Sequence, residues 1–185
     1  MGRPKLSLPF GPEQMLQRVV RILSDAVSTI VVVAAPGQEV PELPRGVRAA
    51  RDEQESLGPL AGLAVGLGAL RPEFEAAYVS SCDVPLLRPD FVRRMIELLG
   101  EDDIAIPRDG KYHHPLAAVY RTRLEDDVRE LLAAGRMRPV FLLERCRVRE
   151  VDVETLREVD PKLDSLRNLN EPKDYEAALR DAGFL

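Results

Sequence analysis

A single aspartate stands where a buried strand is expected to end. Asp83 follows the strand expected from Ala77 to Ser81, and Pro85 forces the chain to leave the sheet there. A carboxylate at the carboxyl end of a strand is well placed to hold a hard cation such as Mg²⁺. The alternative is an aspartate in a turn that bonds its own backbone, and the local sequence does not separate the two. Asp83 is therefore the first candidate for a metal ligand and a catalytic residue.

A lysine near the N-terminus is the second candidate. Only four of the 26 basic residues are lysines, so arginine is the ordinary cation of this chain. Lys5 lies among glycine and proline residues just before an expected helix, where its ammonium group could neutralise a triphosphate. Taken alone, the local pattern fits a solvated lysine in a disordered terminus better.

Four further residues could contact a ligand. Asp52 comes shortly before a glycine-proline turn at Gly58, which leads into a helix whose N-terminal N–H groups and dipole suit an anion. Asn168 and Asn170 alternate before the last expected helix, so an extended segment would present both amides on one side. An ordinary loop-to-helix junction and a helix cap are the respective alternatives.

The sequence predicts a fold in which strands and helices alternate, and these elements would position the candidate residues. The β-branched apolar run from Thr29 to Ala35 predicts a buried parallel strand. Apolar residues recur at helical spacing before it, from Met15 to Leu23. The alternation continues along most of the chain and predicts an α/β fold with a mainly parallel sheet. Ligands of such sheets bind beyond the carboxyl ends of the strands, which is where Asp83 is expected.

Composition narrows the class of function. A chain of 185 residues with 45% hydrophobic content suits one domain over residues 1–185. The net charge of -5 argues against a nucleic-acid binder, which needs a basic surface. The longest apolar run, Ile30 to Ala35, is too short to span a bilayer, and no signal-peptide pattern opens the chain, so we expect a cytoplasmic protein. Two cysteines, Cys82 and Cys146, are too few for a disulfide framework or a zinc site.

Five short motifs occur in one order along the chain. Each is weak alone, but together they resemble the motifs of the molybdenum cofactor guanylyltransferases, which include G-P-L-A-G, C-D-x-P, H-P and N-x-N-x-P. The resemblance extends from the N-terminus to about Leu179. The matching segments are Met1-Gly2-Arg3-Pro4-Lys5, Asp52 with Gly58-Pro59-Leu60-Ala61-Gly62, Cys82-Asp83-Val84-Pro85, His114-Pro115 and Asn168-Leu169-Asn170-Glu171-Pro172.

The resemblance implies a fold and a reaction. The implied fold is Rossmann-like, of the nucleotide-diphospho-sugar transferase type, with helices on both faces of a mainly parallel sheet. The implied reaction transfers GMP from GTP to the phosphate of molybdopterin carrying molybdenum, with Mg²⁺ as cofactor and pyrophosphate as the leaving group. Molybdoenzymes or their chaperones are the implied protein partners.

The resemblance also implies roles for individual residues. Lys5 would contact the nucleotide and Asp83 would bind Mg²⁺. The other matched residues would line the pockets, Asp52 and Gly58 on the nucleotide side and Asn168 and Asn170 on the pterin side. Because the attacking phosphate is already ionised at neutral pH, no strong general base and no covalent intermediate are expected.

The sequence departs from the family pattern at its start. The segment L-A-G-G-x-S-x-R, which precedes the Met-Gly pair in the family, is not part of this sequence. That segment supplies a first strand and a glycine-rich turn that cradles the nucleotide. Without it, neighbouring strands would carry unpaired backbone groups in the core. We therefore expect the working protein to be longer at its N-terminus.

A second departure leaves the choice of nucleotide open. Ala34-Ala35-Pro36 follows the first expected strand, where guanylyltransferases often carry an asparagine. A molybdenum cofactor cytidylyltransferase and a sugar-phosphate nucleotidylyltransferase on the same scaffold are therefore alternatives. A nucleotide-binding relic without activity is the non-enzyme alternative.

Overall fold

The structure is a computed structural model that describes residues 4–52 and 58–185. No helix within these ranges is long and apolar enough to cross a membrane. The strands are β1 Pro9–Phe10, β2 Glu13–Gln14, β3 Val31–Ala34, β4 Arg48–Arg51, β5 Ala76–Ser80, β6 Ile104–Asp109, β7 Tyr112–His113, β8 Ala117–Arg121 and β9 Val148–Asp152. The α-helices are α1 Met15–Ser24, α2 Pro59–Leu70, α3 Pro89–Leu99, α4 Glu125–Ala133, α5 Val140–Leu143 and α6 Pro172–Asp181. Short 3₁₀ helices span Lys5–Ser7, Thr122–Leu124, Val153–Glu158 and Asp164–Leu166.

The larger sheet has five strands and mixed directions. β8 lies between β5 and β6 and is antiparallel to both, whereas β9 lies on the other side of β6 and is parallel to it. β5, β6 and β9 therefore point the same way, and β8 and the two-residue β7 oppose them. The reversal of β8 follows from its short connection to β6, because a parallel return needs a crossover of about a dozen residues or more. The α/β class is confirmed, with a mixed sheet in place of the expected mainly parallel one.

β3 and β4 form a second, two-stranded parallel sheet. Helix α2 packs against β3, β4 and β5. Helix α1 contributes Val20 to a cluster with Val32 of β3, and Val19 to a cluster with Tyr78 of β5. The two sheets thus share α1 and α2, although within residues 4–52 and 58–185 no backbone ladder joins β3 to β5. The expectation of a longer N-terminus stays a prediction.

Helices cover both faces of the five-stranded sheet, as expected. Ile104 and Ile106 of β6 pack in one cluster with α2 and α4, while Ala105 packs in another with Phe91 and Met95 of α3. This division follows from the period of two in a strand, which sends successive side chains to opposite faces. Because β5, β6 and β9 run in the same direction, their carboxyl ends lie on one side of the sheet, and the loop after β5 carries Asp83.

Two tyrosine hydroxyls in the core differ in their hydrogen bonding. The Tyr120 hydroxyl donates to the Pro115 carbonyl at 2.8 Å. The buried Tyr78 hydroxyl has no hydrogen-bond partner in the part of the chain that the structure describes. We expect Tyr120→Phe to lower the free energy of unfolding by about 1 kcal/mol, and Tyr78→Phe to leave it unchanged or raise it, because only Tyr120 loses a bond. Urea denaturation measures both, and an equal loss in the two variants would contradict this prediction.

Candidate active site

Four of the predicted site residues meet at the carboxyl end of β5. The ammonium group of Lys5 donates to Asp83 Oδ2 and to Asn170 Oδ1, each at 2.7 Å. The Asn168 side-chain amide donates to Asp83 Oδ1 at 2.6 Å. The structure therefore brings Lys5, Asp83, Asn168 and Asn170 together from three separate parts of the chain.

Asp83 is the buried centre of this group, with 6% of its surface exposed. Burial by itself would raise the pKa of the carboxyl group. Hydrogen bonds from Lys5, Ser81 and Asn168, together with the charge of Lys5, outweigh burial and lower the pKa below its ordinary value. The carboxylate is therefore charged at neutral pH and suited to bind a cation.

The lowered pKa of Asp83 predicts how stability depends on pH. A carboxyl group with a depressed folded-state pKa contributes stability above its unfolded-state pKa, and loses that contribution as the pH falls through the folded-state value. We therefore expect the difference in unfolding free energy between the wild type and Asp83→Asn to be present at neutral pH and to vanish in acid. Urea denaturation of both proteins between about pH 7 and pH 3 tests this. A difference that grows towards low pH would contradict the prediction.

The turn that follows the 3₁₀ helix of Lys5 is held by an aromatic cluster. Phe10 is fully buried and contacts Phe184 edge to face, with 5.7 Å between the ring centroids. The Arg18 guanidinium lies 4.9 Å from the Phe10 ring centroid. Gly11 has a φ of 63°, and a Cβ there would lie 2.4 Å from the Phe184 ring, so this turn needs glycine. The chain that follows Lys5 is therefore fixed to the core at Phe10.

The segment that carries the two asparagines is fastened to the backbone of Asp83. The Leu169 N–H donates to the Asp83 carbonyl at 3.0 Å. Leu169 itself is buried, with 1% of its surface exposed, against Leu8 and Phe10. The buried leucine between two asparagines places both amides on the side of the Lys5–Asp83 pair.

Asp52 directly follows β4 of the two-stranded sheet, and Gly58 is the residue that caps the N-terminus of α2. The Asp52 N–H donates to the Ala34 carbonyl at 2.9 Å, at the end of β4. Gly58 precedes α2 with a φ of 74°, and a Cβ there would meet nothing within 4 Å, so the backbone conformation explains the glycine. Their roles in a nucleotide pocket stay predictions. The motif residues 1–3 lie outside the described residues.

The chemistry of these donors fits Mg²⁺. Protein-bound Mg²⁺ commonly takes one or two carboxylates, completes its shell with substrate phosphates and keeps several waters. Asp83 offers one charged carboxylate. Asn170 offers a side-chain carbonyl oxygen, which accepts a hydrogen bond from the same Lys5 ammonium group. Among residues 4–52 and 58–185 no three His, Cys, Asp or Glu side chains are placed to hold a metal ion. Asp83 together with substrate phosphates is therefore the donor set that suits this cation.

Two residues at the site had no predicted role. The Ser81 hydroxyl donates to Asp83 Oδ1. Arg18 Nε donates to the Pro85 carbonyl at 2.7 Å and so ties α1 to the loop after Asp83. Ser81 could have been found, because residues two apart in an extended segment lie on one side. Nothing in the local pattern around Arg18 indicates a partner 67 residues away.

The fold is of the nucleotidyltransferase type, as two solved structures show. Molybdopterin-guanine dinucleotide biosynthesis protein A from Archaeoglobus fulgidus has a similar fold, with a TM-score of 0.80 and 24% identity over 100% of this chain and 93% of that one. 2-C-methyl-D-erythritol 4-phosphate cytidylyltransferase from Thermus thermophilus has a TM-score of 0.74 and 17% identity, covering 97% and 94% of the two chains.

Sequence comparison identifies the family. The model of the MobA-like NTP transferase domain matches residues 1–150. A protein of Mycobacterium avium (strain 104) named "Probable molybdenum cofactor guanylyltransferase" is 37% identical over 140 residues, which are 73% of this chain and 70% of that protein. The chain belongs to the MobA-like NTP transferase family, and the resemblance found in its motifs is confirmed.

Proposed function

We propose that this protein transfers GMP from GTP to the phosphate of molybdopterin carrying molybdenum. The products are molybdopterin guanine dinucleotide and pyrophosphate. The observation that carries the proposal is the pairing of Lys5 with Asp83 at the carboxyl end of β5, flanked by the amides of Asn168 and Asn170. We also propose that the protein acts in the cytoplasm, where GTP is available, and passes its product to molybdoenzymes or their chaperones.

The chain's own residues would bind and orient the reacting groups. Asp83 would hold Mg²⁺ together with phosphate oxygens, and the bound ion would supply charge neutralisation at the α-phosphate and at the departing pyrophosphate. Lys5 would move from Asp83 to the phosphates and add a second positive charge. Asn168 would keep Asp83 Oδ1 in place while Lys5 moves, because its hydrogen bond is made to the other carboxylate oxygen.

GTP is the proposed nucleotide, with CTP as the alternative. The name of the Mycobacterium avium relative supports GTP. The segment Ala34-Ala35-Pro36 at the end of β3 lacks the asparagine that guanylyltransferases often carry there, so CTP needs a direct test.

Pyrophosphate release tests the proposal. Purified protein is mixed with molybdopterin carrying molybdenum, Mg²⁺ and either GTP or CTP, and release is followed with and without the pterin. We expect pterin-dependent release that favours GTP at least about tenfold, a preference worth about 1.4 kcal/mol. Removal of the divalent cation with EDTA should abolish release, and added Mg²⁺ should restore it. Release with CTP alone would favour the cytidylyltransferase, and binding of GTP without any release would favour the relic.

A further inference from the structure

A buried carboxylate outside the Lys5–Asp83 pair shapes the segment that carries the two asparagines. Asp160 has 0% of its surface exposed, and the proposed reaction makes no use of it. Burying a charged group is costly unless hydrogen bonds satisfy it. Its hydrogen-bond donors therefore indicate what Asp160 does in the fold.

Both carboxylate oxygens of Asp160 accept backbone N–H bonds from the turn that follows. Oδ1 accepts from Asp164 at 3.1 Å and Oδ2 from Ser165 at 2.8 Å. Inside this turn Leu163 has a φ of 54°, the one positive value at a non-glycine residue among those the structure describes. A residue with a side chain keeps a positive φ when the contacts around it hold its backbone in that strained conformation. The Asp160 carboxylate closes this turn together with a backbone bond from the Leu163 N–H to the Asp160 carbonyl, at 2.9 Å.

Residues 160–170, which we call the amide arm, begin with this turn and end in the candidate site. The Ser165 hydroxyl accepts from the backbone N–H of the residue that caps α3, at 3.1 Å. At the other end of the arm, Leu169 donates to the Asp83 carbonyl at 3.0 Å. Asn168 lies between these two anchors, and Asn170 follows the second. The turn therefore holds one end of the arm and Leu169 holds the other, so a change in the turn loosens the first of the two holds on the amides.

We propose that Asp160 is a positioning residue of this site. Its carboxylate sets the course of the amide arm, which aims Asn168 at Asp83 and Asn170 at Lys5. The effect on turnover rests on the proposed function, whereas the effect on the arm does not. Asp160→Asn keeps the size of the side chain but offers one acceptor oxygen instead of two, so it should loosen the turn without leaving a cavity.

Asparagine labelling reports on the amide arm alone, because Asn168 and Asn170 are the only two asparagines in the sequence. With ¹⁵N in their side chains, the ligand-free protein gives two pairs of amide signals, and Asn170→Ser assigns them. Asp160→Asn adds a third pair from the new side chain. In this variant we expect both original pairs to move, and the Asn168 amide protons, which lose their bond to Asp83, to exchange faster by about tenfold. Val128→Ala, fully buried between α2 and α4, is the matched control and should leave both pairs in place. Unchanged original signals in Asp160→Asn would overturn the proposal.

Kinetics separate a positioning role from a merely structural one. At a temperature at which both variants are folded, we expect Asp160→Asn to lower kcat/KM about tenfold, mostly through kcat, and Val128→Ala to leave it unchanged. Amide signals that move without any loss of kcat/KM would overturn the role at the site. Absence of turnover in the wild type would refute the proposed function, while the amide signals would still decide whether Asp160 holds the arm.

Discussion

Asp83→Asn is expected to lower kcat/KM for pyrophosphate release by about a thousandfold or more. The variant keeps the shape of the side chain and removes the negative charge that would hold Mg²⁺. Several kcal/mol of charge stabilisation are lost with a metal ion of this kind, and each 1.36 kcal/mol corresponds to a factor of ten. Steady-state measurement with GTP and molybdopterin carrying molybdenum gives the effect directly.

A matched control separates this loss from a general effect of removing an aspartate. Asp126 lies on the exposed side of α4 and pairs with Arg71 at 2.9 Å. Exposed ion pairs of this kind contribute little to stability, so Asp126→Asn should fold normally. It should therefore leave kcat/KM unchanged. Titration with Mn²⁺ should show weaker binding to Asp83→Asn than to Asp126→Asn. An Asp83→Asn variant that retains activity within about tenfold of the wild type would refute the metal-binding role.

Lys5→Met is expected to change metal affinity and activity in opposite directions. In the ligand-free structure the Lys5 ammonium lies 2.7 Å from Asp83 Oδ2 and so competes with a cation for that oxygen. Removing one positive charge next to the carboxylate should raise the affinity of the ligand-free protein for Mn²⁺ by about tenfold. The same change should lower kcat/KM by about a hundredfold or more, because a cation near the phosphates is lost.

Calorimetric titration with Mn²⁺ and steady-state kinetics measure the two effects on the same samples. Lys111→Met is the control, because Lys111 lies against the Tyr112 ring on the β6–β7 turn, with 5.4 Å between Nζ and the ring centroid. Lys111→Met should change neither the affinity for Mn²⁺ nor kcat/KM. If Lys5→Met weakens Mn²⁺ binding together with activity, then Lys5 organises Asp83 for the metal and does not compete with it.

Most helices and strands of this fold could be predicted from local pattern, because each has a hydrophobic period of its own. The expected strand from Thr29 to Ala35 contains β3, and the helical spacing from Met15 to Leu23 lies within α1. Asp83 was also predictable as a site residue, since it follows an apolar strand and precedes a proline that ends it. The two-residue strands β1, β2 and β7 were missed, because two residues are too few to show a period.

The arrangement of the site depends on contacts between distant residues. Lys5 and Asp83 are 78 positions apart, and Asn168 and Asp83 are 85 apart, so no local pattern predicts that they meet. The pattern around Lys5 fits a solvated lysine better, and the burial of Asp160 follows from the packing of its turn against α3. Hydrophobic period and turn chemistry act between neighbours in the sequence, whereas strand order, strand direction and the pairing of charges depend on which segments pack together in the folded chain.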